Sequence, residues 1–84
     1  MSHILEQIID RYPDESLVKA RGFNRAIIGV DLASMRLVYS VSKCIDILRN
    51  DLTIEEAIEY FEFSVRGAYV GEKKPIWCED NFDL

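Results

Sequence analysis

Apolar residues recur at helical spacing toward both ends of the chain and crowd with strand-like density in its middle. In "HILEQIIDRY", residues 3–12, Ile4, Leu5, Ile8, Ile9 and Tyr12 fall on one face, with Glu6, Gln7, Asp10 and Arg11 opposite. That spacing predicts an amphipathic helix. Ser2 stands where an N-cap belongs, and Pro13 ends the helix by pushing the residue before it out of the helical region. "PDES" then turns the chain, and "LVKARGF" around Gly22 has no decisive period.

The run "RAIIGVD", residues 25–31, is rich in β-branched residues and too short for a buried helix, so it reads as a strand. "MRLVYSV", residues 35–41, reads as its antiparallel partner across "DLAS", which lacks the Asn-Gly signal of a tight hairpin. A second pattern overlaps this one. Met35, Val38, Val41, Cys44 or Ile45, and Leu48 also fit the stripe of one long helix, capped by Asp31 and running to residue 49. The β-branched and aromatic cluster "LVYSV" favours the strand.

"SKCIDILRN", residues 42–50, predicts a short helix with Val41, Cys44, Ile45 and Leu48 inward and Asn50 in the left-handed C-terminal position. In "TIEE", Thr53 and Glu56 have the spacing of a capping box. Behind it, Ile54, Ala57, Ile58, Phe61 and Val65 line one stripe of a helix over 53–66 that Gly67 closes. The short link makes these two helices an antiparallel pair. "AYV" and "PIWC" read as strand pieces around the turn "GEKK", and Pro75 confines its piece to a sheet edge or a strand start.

These elements predict one domain over residues 1–84: a helix in 1–13, a core in 22–78, and a loose acidic tail in 79–84 with Phe82 its candidate for packing back. The predicted class is α+β. A small antiparallel sheet of two to three strands, drawn from 26–31, 35–40 and part of 68–78, is packed by the two C-terminal helices. The N-terminal helix lies alongside or mediates self-association.

Composition changes this picture by exclusion. No apolar run approaches the roughly 18 residues that cross a bilayer, and "MSHILEQIID" has acids where a signal peptide starts basic. A soluble cytoplasmic chain with no membrane partner is expected. His3 is the sole histidine, and Cys44 and Cys78 stand in no zinc-ligand spacing, so reduced thiols, no metal and no cofactor are expected. The net charge is −5, and residues 43–84 hold ten acids against five bases. Direct DNA binding, which needs a positive surface to displace counterions, is therefore not expected. Ser16, Ser34, Ser40, Ser42 and Ser64 have no recognisable base beside them in sequence, so no enzyme is expected.

The run "GFNRAIIGVD…SMRLVYSVSKCIDIL" and the following "EEAIEYFEFSVRGAYVGEKKPIWCED" resemble a family of very short proteins found chiefly in tailed bacteriophages. The likeness covers residues 22–80, and its most distinctive part is "EYFEFSVRGAYVGEKKPIW", with the motif GAYVGEK-x-PIW at its end. Members of that family often have threonine where Lys74 stands. The resemblance supplies no catalytic residue. It implies a viral accessory protein acting in the host bacterial cytoplasm.

Two kinds of site are expected. Tyr60, Phe63, Tyr69, Lys73 and Trp77 are candidates for binding a host protein, because aromatics at a half-buried rim are common in contact surfaces. The same features suit completion of a core by homo-oligomerisation, as do Leu32 and Met35 at a predicted turn. Arg66, Lys73 and Lys74 are candidates for an anion pocket in which Tyr69 or Trp77 stacks the base of a small nucleotide. A Walker-type cradle is excluded, since Pro75 removes a backbone donor and no helix start follows. Glu55, Glu59 and Glu62 share a helix face without opposing ligands and read as a solvated surface.

Overall fold

In the computed structural model, which describes residues 3–82, the two apolar runs in the middle of the sequence form a hairpin. Strand β1 (Ile27–Asp31) pairs antiparallel with β2 (Arg36–Ser40). The single long helix over 31–49 does not form. A bulge at Ile28 interrupts the ladder, so that Ile27 faces Tyr39 while Val30 faces Leu37. Without the extra residue, Ile27 and Val30 would point to opposite faces of the sheet; with it, both meet the core.

The connection works without an Asn-Gly pair because Asp31 organises it. Its carboxylate accepts the Ser34 backbone N–H at 3.0 Å and the Ser34 hydroxyl at 2.6 Å. The Met35 N–H closes the turn onto the Asp31 carbonyl at 2.7 Å. Met35 takes the left-handed conformation this requires, with φ 53°.

Helix α1 (His3–Arg11) packs against β1 and buries Leu5 and Ile8, whereas Ile4 and Ile9 remain exposed. The predicted face was therefore too wide. The expected cap at Ser2 lies outside the described residues. A 3-10 turn at Asn24–Ala26 takes up the first residues of the predicted strand.

Helix α2 (Val41–Leu48) starts directly from β2, with the Ser40 hydroxyl accepting the Lys43 N–H at 3.1 Å. Asn50 is not left-handed. The helix ends on Arg49 in right-handed geometry, and the Asn50 N–H reaches the Ile47 carbonyl. Helix α3 (Ile54–Tyr60) carries both bonds of the capping box between Thr53 and Glu56. It then widens into a π-helical turn, Phe61–Val65, and passes through a turn at Gly67. Ala57, Phe61 and Val65 are buried, while Ile54 and Ile58, predicted inward, are exposed.

Strand β3 (Ile76–Cys78) completes the sheet in the order β1-β2-β3. It runs parallel to β2, so the sheet is mixed and not antiparallel as expected. The reason is connectivity. Both helices lie between β2 and β3, a connection long enough for the crossover that a parallel pair needs and a short turn cannot make. Pro75 is fully buried just before this edge strand, where its missing N–H breaks no ladder. "AYV" forms no strand: Ala68–Val70 is irregular, and β3 takes the open position beside β2.

The core joins Leu5 and Ile8 to Phe23, Ile27, Leu37, Tyr39, Cys44, Phe61 and Val65. Both cysteines are free thiols. Burial first, and then the nearby Asp80, push the Cys44 thiol up to about 12. Among the described residues no helix is long and apolar enough to cross a membrane.

Candidate functional site

The π-helical turn sets the candidate surface. The Arg66 N–H bonds the Phe61 carbonyl at 2.8 Å, five residues back, which widens the helix by one residue per turn. Phe61 and Val65 point into the core and Glu62, Phe63 and Ser64 are left outside. Phe63 is 80% exposed, and Tyr60, one turn earlier, is 49% exposed.

Tyr60 and Tyr69 line a common groove of about 490 Å³ together with Phe23, Leu48, Leu52 and Val65. Its lining also includes Arg21, Asp51 and Ser64. The groove is therefore of mixed polarity, able to take a partner's side chain that is part apolar and part hydrogen-bonding. Phe63 is not among its lining residues but lies on the same helical stretch, between Tyr60 and Ser64. Val70, in the segment leading away from Tyr69, is also exposed.

Trp77 does not belong to this surface. Its ring lies 5.3 Å from Tyr39, 5.4 Å from Phe61 in a T-shaped contact, and 6.2 Å from Tyr69. It packs between the sheet and the π-helical turn, so it is an anchor for the fold. Lys73 is likewise committed internally. Its ammonium donates to the Ser34 carbonyl at 3.1 Å and lies 3.7 Å from Glu15, tying the 71–74 turn to the hairpin.

The three expected anion ligands divide as well. Arg66 and Lys74 line a second groove, of about 370 Å³, with Arg36, Trp77, Glu62 and Glu79. Lys73 is absent from it and Tyr69 opens elsewhere. The Arg66 guanidinium already donates to Glu62 at 2.9 Å. Arg36 is a lining cation that sequence reasoning missed, because only the register of β2 brings it to the start of β3.

Asp80 was also missed. It accepts the Ser40 hydroxyl at 2.7 Å and the Ser42 hydroxyl at 2.9 Å, which fixes the start of the tail to the first turn of α2. The Ser40 bond, aided by Ser42, holds its carboxyl below the usual carboxylate range. Phe82 does not pack back; it is 75% exposed. Glu55, Glu59 and Glu62 stay on the exposed side of the helix, and among the described residues no group of three or more metal-ligating side chains converges.

Comparison with protein families, characterised proteins and solved structures finds no match to this chain.

Proposed function

We propose that this protein is a non-enzymatic phage accessory protein that docks on a protein of its bacterial host and inhibits it. The docking surface is the outward side of the π-helical turn, with Phe63 exposed on it and Tyr60 and Tyr69 lining the groove. One observation carries this reading: Phe63, a large aromatic at 80% exposure, stands on the same helical stretch as Tyr60 and Ser64, which line an open groove. Aromatic side chains are enriched at protein interfaces, where a few anchors carry most of the binding energy. The phage setting and the host cytoplasm rest on the resemblance over residues 22–80. The alternative, binding of an anionic nucleotide, has less support, since Lys73 is bonded internally and the Trp77 ring is hemmed in by three others.

The test compares the wild-type chain with Tyr60→Ser/Phe63→Ser, immobilised in parallel and exposed to bacterial lysate. A host protein retained by the wild type and lost by the variant, then bound directly in purified form and impaired in its activity, is the expected result. Identical retention by both chains would overturn the reading.

A further inference from the structure

Helices α2 and α3 leave a groove of about 530 Å³ between them. It shares no lining residue with the groove beside Tyr60. Val41, Ile45 and Phe61, all packed against the core, line its inner side. Ile54 and Ile58 add side chains that are 44% and 47% exposed. Both isoleucines would gain by further burial.

The rest of the lining is polar, and its charge is mostly of one sign. Asp46, Glu62 and Glu79 stand against one cation, Arg49. Glu62 also holds Arg66, at 2.9 Å. The Asp46 and Glu79 side chains are exposed, and among the described residues neither has a hydrogen-bond or ion-pair partner. The groove therefore combines half-covered aliphatic surface with unneutralised carboxylates. That charge disfavours two occupants. The chain's own tail, "EDNFDL", is acidic, and a second copy brings the same acids and a net charge of −5.

We propose that the α2–α3 groove is a docking site for a basic amphipathic helix of a protein partner. Ile54 and Ile58 are four positions apart, so they match apolar side chains at i and i+4 of an incoming helix. The seven steps from Ile54 to Phe61 span about 10 Å, the length of two helical turns. Lysines or arginines beside the apolar positions meet both demands of the lining. Their aliphatic stems cover the isoleucines while their cationic heads reach Asp46 and Glu79. This contact is independent of the surface that carries Tyr60 and Phe63.

The test titrates the full-length chain into two labelled peptides of about 14 residues, long enough to form a helix on binding. Both have leucine at helical spacing; one is otherwise lysine and the other glutamate. The leucine–lysine peptide is expected to bind, more weakly as salt rises, and the leucine–glutamate peptide to stay free. Ile54→Ser/Ile58→Ser and Asp46→Lys/Glu79→Lys should each raise the dissociation constant about tenfold. The charge reversals alter only exposed side chains without internal partners, so they report even where the serine pair loosens the fold. Tyr60→Ser/Phe63→Ser should bind the peptide as the wild type does, which separates this site from the surface proposed above. Failure of the leucine–lysine peptide to bind, equal binding of both peptides, or wild-type affinity in the charge-reversed chain would overturn the proposal. So would loss of binding in the Tyr60/Phe63 variant, or a dimer of the wild type that Ile54→Ser/Ile58→Ser dissolves.

Discussion

The hydroxyl of Tyr39 accepts a 2.7 Å hydrogen bond from the backbone N–H of Ala20, and both residues are fully buried. This one contact attaches the irregular segment before β1 to the central strand of the sheet. Without it a buried backbone donor would lack a partner.

Tyr39→Phe should therefore cost about 1–3 kcal/mol, the penalty of leaving that N–H unsatisfied, measured by denaturant unfolding. Burial also raises the Tyr39 phenol above its ordinary value. A raised folded value means the contribution is intact below the unfolded pKa, about 10, and is lost as pH rises through the folded one. Alkaline unfolding of the wild type should thus be steeper than that of the Phe variant.

Phe61 and Phe63 are two residues apart and should behave as opposites. Phe61→Ala removes a ring that packs on Trp77 in the core and should destabilise by about 3–5 kcal/mol. Phe63→Ser should change stability by no more than about 0.5 kcal/mol, as for an exposed site. Equal losses in thermal unfolding would contradict the assignment of inner and outer faces.

Asp80 should make the tail sensitive to acid. Its folded pKa is depressed, so its contribution is present above the unfolded value, about 4, and disappears as pH falls through the folded one. Asp80→Ala should remove that dependence and cost about 1 kcal/mol or less, since the carboxylate is largely solvated. Amide exchange at Ser42 and along 78–82 should quicken in the variant, and unchanged protection there would count against the tether.

Cys44 and Cys78 should differ in reactivity. The Cys44 thiol is buried and pushed up to about 12, so at pH 8 it stays protonated and shielded. Cys78 is only half-buried at the end of β3. Brief iodoacetamide treatment of the native protein should add one adduct, at Cys78, and a second only in denaturant, as read by mass spectrometry.

Met35 holds a left-handed conformation that favours asparagine or glycine. Met35→Asn should stabilise the hairpin by roughly 0.5–1 kcal/mol, visible as a raised Tm. A lowered Tm would mean that packing of the methionine outweighs its backbone strain.

Local signals in the sequence determined much of this protein. The β-branched run around Ile27, the Thr53–Glu56 capping box and the helix-ending Pro13 each depend on neighbours within a few positions, so local spacing together with residue type exposed the hairpin, the helices and the α+β class; over 31–49 spacing by itself fitted one long helix equally. The burial of Phe61 was legible from helical period, which also set Tyr60 and Phe63 off the apolar stripe; Phe63 is nonetheless 80% exposed, beyond the half-buried rim expected of it.

Tertiary structure decided the rest, and distance along the chain is the common reason. The parallel direction of β3 follows from where two helices return the chain. Trp77 became a core anchor and Lys73 a tie only when Tyr39, Ser34 and Glu15 were brought to them. The narrow inward faces of α1 and α3 reflect a core too small to cover Ile4, Ile9, Ile54 and Ile58. Pairings between residues 40 positions apart, such as Asp80 with Ser40, leave no periodic trace in sequence and exist only once the sheet has closed.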